Sequence, residues 1–197
     1  MYCNRKSIVL ASGSPRRQQY LGEMGLVFSV ITSSVDEVVF RDETPDDFVC
    51  RMAREKSIVP ARDFPESWVI SGDTVVCRGA DILGKPTDQQ DAISMLMSLS
   101  GKEHRVKTGL CVACVAENIS VVRVVTTKVL FSEFSVTTAR AYVASGECFD
   151  KAGSYGIQGK GAFLVKAIEG SYSNVVGLPL TELLDLLMAH QVISVCR

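Results

Sequence analysis

Ile8-Val9-Leu10-Ala11-Ser12-Gly13-Ser14-Pro15-Arg16-Arg17 joins a short apolar run to the start of a helical pattern. Ser14 suits an N-cap. Pro15 suits the first helical position, where its missing N–H has no intrahelical partner and its φ is preset. Arg16 and Arg17 fall in the first helical turn, where cations oppose the helix dipole and do little for stability alone. With the free backbone N–H groups and the hydroxyls of Ser12 and Ser14, they make a cup suited to phosphate. The same six residues, Ser12 to Arg17, also read as a capped surface helix with two solvated arginines. In either case a strand runs directly into a helix. The mixed order of strands and helices beyond it predicts an α/β fold, a mixed sheet flanked by helices.

The bulk composition leaves room for such a site without dictating it. The chain has 197 residues, 47% apolar and 22% charged, which suits a globular protein with a sizeable core. Its formal net charge of −1 supplies no global field for nucleic acid or anionic membrane, so any polyanion site must be a local cluster. No apolar run approaches the roughly 18–20 residues of a membrane span, and the N-terminus leads straight into a strand without a signal-peptide pattern. The expected location is therefore cytoplasmic, and the seven cysteines are expected as free thiols. Cys111 and Cys114 form a lone CxxC within a strand-like run, where residues three apart face opposite sides and cannot share one metal.

Along the chain, Leu26–Ile31 reads as a second strand leading to Val35-Asp36-Glu37. Thr44-Pro45 opens a helix with Asp46 and Asp47 in its first turn, and Pro60 is expected to end it. Lys56 lies on or beside the apolar stripe of that helix, either snorkelling or reaching into a cleft. Trp68–Cys77 reads as a central strand interrupted by Asp73, which must be paired, coordinated or at a strand end. Gly84 is expected to serve a positive φ or a close approach beside Lys85. Thr87 to Gln90 reads as a capping box. Two β-rich segments, 103–116 and 119–131, form a hairpin, and a helix runs from Thr138 to Ala144. The stretch Glu147 to Gly161 is dense in glycine, charge and Tyr155, read either as backbone approaching a ligand or as a flexible loop. A strand at Phe163–Ile168 and a leucine-rich helix opening at Pro179 complete the chain. A cleft is expected between the lobe formed by the long hairpin and the layer carrying Ser12 to Arg17.

The chemistry-bearing residues form a coherent set. Arg16, Arg17, Lys56, Lys85 and Lys160 can neutralise a polyphosphate, while Glu37 and Asp73 can hold a hard divalent cation. The glycines do not fit G-x-x-x-x-G-K-[ST], and no Ser–His–Asp set is evident. Metal-assisted attack of water on a phosphoanhydride needs only acids, a metal and cations.

In order along the chain, Leu10–Arg17, Val35-Asp36-Glu37, Gly72-Asp73-Thr74-Val75-Val76, Leu83-Gly84-Lys85-Pro86, Lys151–Gly161 and Asn174–Leu180 resemble the Maf family of nucleotide pyrophosphatases. The resemblance spans about Ile8 to Leu187, and 1–197 reads as a single domain. It implies a fold related to inosine-triphosphate pyrophosphatases, and hydrolysis of nucleoside triphosphates to monophosphate and pyrophosphate with Mg²⁺ or Mn²⁺. The run Tyr155-Gly156-Ile157-Gln158-Gly159 is similar to the subgroup acting on dTTP and UTP. By position, the resemblance makes Asp73, Glu37 and Lys85 catalytic, with Asp73 the general base and Glu37 and Asp73 the metal ligands. It makes Ser12, Ser14, Arg16, Arg17, Lys56 and Gln158 substrate-binding. Ser71-Gly72 before Asp73, where alanine is common, and Lys102, where arginine is common, depart from the pattern without removing a charged group. A nucleotide-binding regulator of cell division without turnover is the alternative, and a metal-dependent nuclease a weaker one for want of a broad basic face. No nucleic acid or membrane partner is expected, and a homodimer stays open.

Overall fold

The computed structural model describes residues 1–196. Strand β1 (Tyr2–Asn4) is followed by β2 (Ile8–Leu10), α1 (Pro15–Glu23), β3 (Ser29–Val30) and α2 (Pro45–Asp63). Then come β4 (Trp68–Arg78), β5 (Asp81–Leu83), α3 (Gln89–Leu99), the long pair β6 (Glu103–Cys114) and β7 (Ile119–Phe131), and α4 (Val136–Ala144). After two 3-10 turns at Ala152–Ser154 and Gly159–Leu164 the chain ends with β8 (Val165–Glu169), α5 (Tyr172–Val176), α6 (Leu180–Ala189) and β9 (Ile193–Val195).

The main sheet has the order β3-β2-β4-β6-β7-β8, with β5 on β4, while β1 and β9 make a separate antiparallel pair. Strand β2 is parallel to β3 and β4; β5 and β8 pair antiparallel. This is the mixed α/β sheet that the order of elements implied. The backbone divides into two compact units. The first comprises Met1–Asp73, Thr108–Val125 and the chain from Gly177 onward; the second comprises Thr74–Lys107 and Thr126–Val176.

The first unit packs Ile8, Leu10, Leu21, Trp68, Ile70, Leu110, Leu183 and Leu187 into one core. Leu21 is the buried residue that holds α1 to it. Each fully buried aliphatic side chain of this kind contributes about 1.5–3 kcal/mol. The second unit has its own core of Leu96, Leu99, Val106, Val129, Phe131, Tyr142, Tyr155 and Leu164. There His104 Nε2 lies 2.8 Å from the Tyr155 hydroxyl, and burial lowers the imidazole pKa from 6.5 to about 4.

Several local expectations are corrected. Strand β3 spans Ser29–Val30 only, both exposed, because Leu26 is drawn away into the core. Helix α2 does not stop at Pro60 but runs to Asp63. Proline lacks the N–H that would bond the Lys56 carbonyl, and the Ser33 hydroxyl donates to that carbonyl instead at 3.0 Å. The cap of α3 is Asp88, one residue later than read: its carboxylate accepts from Asp91 N–H, and Asp91 accepts from Thr87 N–H. Helix α4 starts at Val136 behind the Ser135 cap. Strand β8 starts at Val165, because residues 159–164 form a 3-10 turn.

Gly84 has no positive φ and a Cβ there would meet nothing within 4 Å; its carbonyl accepts from Gly153 N–H. Not all thiols are free. Cys3 and Cys196 are disulfide-bonded, brought to a Cα separation of 5.4 Å by the pairing of β1 with β9. Cys50, Cys77, Cys111, Cys114 and Cys148 are free thiols. Cys111 packs with Ala53 and Ala113, whereas Cys114 belongs to the main core of the first unit. Among the described residues, no helix is long and apolar enough to cross a membrane.

Candidate active site

In the first unit, the parallel pairing of β2 with β4 sets Ile8 beside Trp68 and Leu10 beside Ile70, and the Ala11 N–H donates to the Ile70 carbonyl at 2.7 Å. The carboxyl end of β2 therefore delivers Ser12 alongside the Ser71-Gly72-Asp73 stretch of β4. Open α/β sheets place ligand sites at such strand ends.

Arg17 does not point into solvent. It is half-buried, its Nε donates to the Gly177 carbonyl at 2.7 Å and its Nη1 to Ser12 Oγ at 3.0 Å. Burial lowers its pKa from the usual arginine value, while the negative charges of Asp73 and Glu37 support the cation. Gly72 answers to the neighbouring strand: a Cβ there would stand a tight 3.0 Å from the Gly109 carbonyl oxygen, while the Arg17 guanidinium carbon at 3.7 Å would be at ordinary contact distance. Ser14 occupies the N-cap position of α1, yet its hydroxyl makes no capping hydrogen bond, and its N–H donates to Ser12 Oγ. Arg16 is half-buried beside it.

Lys56 projects from α2 to both acids. Its Nζ donates to Asp73 Oδ1 at 2.6 Å and to Glu37 Oε1 at 2.7 Å. The Lys56 and Asp73 side chains are only 15% and 11% exposed. Lys56 therefore does not snorkel but is held by the two acids, and of the readings open for Asp73 the structure shows it paired. Two oxygens that grip one ammonium are within reach of one divalent ion. Hard-oxygen ligation by one or two carboxylates plus substrate phosphates is the usual manner of Mg²⁺. Among the described residues no group of three or more His, Cys, Asp or Glu forms a metal cage. Two carboxylates fall short of a full cage, so this donor set fits only an ion that takes its remaining ligands from a bound phosphate.

Two features of this site escaped the sequence reading. Arg51 of α2 grips the segment that follows Glu37: it donates to Glu43 through Nε and Nη2, each at 2.7 Å, and to the Val38 carbonyl at 2.8 Å. Its guanidinium also stacks 3.9 Å over Phe40. This bidentate pair holds the Glu43 pKa below the ordinary carboxylate value. The only sequence signal was the i,i+4 pairing with Glu55. Gly109 of β6 is the second: a Cβ there would collide with the Val49 carbonyl oxygen, so glycine allows α2 to press its backbone onto the strand.

Lys85 and Gln158 belong to the second unit. Lys85 follows β5, and Gln158 stands, half-exposed, before the 3-10 turn at Gly159–Leu164. Glu147 Oε2 accepts from the Lys160 N–H at 2.8 Å, and its Oε1 accepts from the Gly161 N–H at 3.1 Å.

The family described as Maf-like protein matches residues 7–190. The chain belongs to the Maf family. A dTTP/UTP pyrophosphatase of Desulfotalea psychrophila is 52% identical to this Maf protein over 195 residues, 99% of this chain and all of the relative. Proteins of the same description from Myxococcus xanthus and Clostridioides difficile are 46% and 44% identical, each covering 93–95% of this chain and 94–95% of their own. The solved Ham1 protein of Staphylococcus aureus is 16% identical with a TM-score of 0.46, covering 65% of this chain and 73% of its own, too distant to argue from.

Proposed function

We propose that this Maf protein hydrolyses dTTP and UTP to the nucleoside monophosphate and pyrophosphate, acting in the cytoplasm with Mg²⁺ or Mn²⁺. Residues 1–197 serve as one catalytic domain in this reading, which the continuous family match over 7–190 supports. The observation that carries it is the Glu37–Lys56–Asp73 cluster, with Arg17 near enough to feel both acids. The relatives at 42–52% identity, each described as a dTTP/UTP pyrophosphatase, supply the nucleotide.

The roles follow from the chemistry of each group. Arg16, Arg17, Ser12 and Ser14, at the N-terminus of α1, bind phosphate oxygens. Asp73 removes the proton from the water that attacks the α-phosphorus; the α–β P–O bond breaks and pyrophosphate leaves. Glu37 and Asp73 would hold the divalent ion, which supplies Lewis-acid polarisation of the phosphoryl oxygens. Lys56 keeps the two carboxylates from repelling each other and adds positive charge for the phosphates. Lys85 offers a cation to the leaving group, and Gln158 offers an amide to the nucleotide. A panel of standard and modified triphosphates with Mg²⁺ and Mn²⁺, scored for pyrophosphate against orthophosphate, tests the reading. Orthophosphate plus diphosphate would reject α–β cleavage, and binding without turnover would return the regulatory alternative.

A further inference from the structure

The Glu147–Gly161 stretch holds a second arrangement that the proposed chemistry does not use. Tyr142 of α4 is 4% exposed; its hydroxyl donates to Glu147 Oε1 at 3.1 Å and accepts from the Gly156 N–H at 3.1 Å. The two amide contacts of Glu147 to Lys160 and Gly161 complete the set. One carboxylate and one phenol therefore satisfy three backbone amides, one before Gln158 and two after it.

The glycines of this loop answer to that arrangement. Gly159 has φ +72°, and a Cβ on it would come within 2.7 Å of Glu147 Oε2. A Cβ on Gly161 would meet the Gly156 carbonyl oxygen at 2.5 Å and the Tyr142 hydroxyl at 2.7 Å. One on Gly156 would meet Lys151 Cε at 2.9 Å. Contacts within the protein thus require Gly161 and, with its positive φ, Gly159, whereas at Gly156 the flexible Lys151 side chain could give way; these glycines were open between ligand approach and loop flexibility. Lys151 closes the loop's base, with Nζ donating to the Glu147 carbonyl at 2.5 Å and to Asp150 at 2.6 Å. Burial alone would push the Glu147 carboxyl up, but the Lys160 and Gly161 amides, the Tyr142 hydroxyl and the Lys151 charge more than offset this and leave its pKa lowered.

We propose that Glu147 is a positioning residue for nucleotide selection: with Tyr142 it locks the backbone on both sides of Gln158 and so holds the Gln158 amide where it meets the pyrimidine. The proposal rests on the reading of Gln158 as a nucleotide contact. A side-chain amide carries one acceptor and one donor group, which match the carbonyl and N–H of the imide edge shared by uracil and thymine. Such a match selects between bases only when its backbone is fixed, since a mobile loop gives up binding energy to ordering.

The test uses the full chain as wild type, Glu147→Gln, Gln158→Ala and the double variant. Steady-state constants are measured with dTTP and UTP, and amide hydrogen exchange at Gly156, Lys160 and Gly161. Glu147→Gln should raise KM about tenfold while kcat stays within about threefold, the signature of lost uniform binding. Lys160 and Gly161 should exchange faster in Glu147→Gln and at the wild-type rate in Gln158→Ala. The double variant should match Gln158→Ala within about twofold, because residues acting through one contact are not additive. A multiplicative loss in the double variant, or an unchanged KM despite faster exchange, overturns the proposal. If Glu147→Gln does not fold, Tyr142→Phe removes the Gly156 bond and one donor to Glu147 and is held to the same criteria. Wild-type turnover is measured first. If it yields no pyrophosphate, the proposed function fails separately, and the Kd of a non-hydrolysable dTTP analogue replaces KM in the same comparison.

Discussion

Asp73→Asn separates chemistry from stability at this site. The substitution keeps size and an acceptor for Lys56 but removes charge and basicity. The pair it weakens is well shielded, with Lys56 at 15% and Asp73 at 11% exposure. Breaking a buried pair outright costs about 3–5 kcal/mol because a bare charge is left behind. Here Glu37 still holds Lys56 at 2.7 Å, so the ammonium is not abandoned. The stability loss should therefore be about 1–3 kcal/mol, the scale of a charge-assisted hydrogen bond. A protein starting near the low end of the usual range, about 5 kcal/mol, would keep about 2 kcal/mol and stay roughly 97% folded. Unfolding could then remove only a few per cent of the activity. Loss of the general base should lower single-turnover rate by about 10²-fold or more. Asp73 and Glu37 also support the charge on half-buried Arg17, so nucleotide affinity should be read alongside. The assay is a melting curve and a single-turnover rate on the same preparation, with activity expressed per folded molecule. A lowered Tm with a near-normal rate would refute the catalytic assignment and leave Asp73 as a structural counterion.

Other outcomes follow from single contacts. Arg51→Ala removes a bidentate pair and the Val38 carbonyl contact; it should cost about 1–2 kcal/mol of stability and raise the Mg²⁺ concentration needed for half-maximal activity. An unchanged metal requirement would assign Arg51 to stability alone. His104 is neutral in the fold with a pKa of about 4, below its ordinary 6.5, so the unfolded chain binds the proton first as pH falls. The stability contributed by neutral His104 is complete above pH 6.5 and is lost as pH drops toward 4, about 3 kcal/mol in all; His104→Gln should flatten that slope in denaturant titrations. Reducing the Cys3–Cys196 bond frees a loop of sequence separation 193 and should lower Tm, with about 5 kcal/mol as the chain-entropy figure, while leaving turnover intact. Alkylation before and after reduction should count five and then seven thiols.

Much of the site was legible because its residues violate local preference. Arginines in a first helical turn and an aspartate in an apolar strand stand out against what stability alone would choose. Thr44 and its paired acids likewise announced α2, and the Thr44 hydroxyl accepts from Asp47 N–H. What stayed hidden depends on partners distant in sequence. Pro60 read as a helix stop because nothing local indicates that the Ser33 hydroxyl takes over the Lys56 carbonyl. Gly109 sits in a strand pattern and is explained only by the Val49 carbonyl of α2. Cys3 and Cys196 lie at opposite ends of the chain, and their pairing requires knowing that β1 and β9 are neighbours.

The Ser33 and Gly109 contacts, with those of Arg51, converge on helix α2, and together they explain why Lys56 can be trusted with two carboxylates. Its starting end is fixed by the Thr44 cap and its middle is pressed on β6 through Gly109. One turn and a half before Lys56, Arg51 secures the chain just after Glu37; at Lys56 itself, Ser33 secures the chain just before it. Glu37 is thus tethered on both sides to the same helix that carries its counterion, and Asp73 comes from a strand paired with β2. A lysine on a loosely held helix would lose much of its ion-pair energy to side-chain entropy. Here the backbone on every side is already ordered by other bonds, so the cation and both acids are held in place at little further entropic cost. The same rigidity keeps the two carboxylates close together on one ammonium, the preorganised arrangement that the proposed chemistry requires.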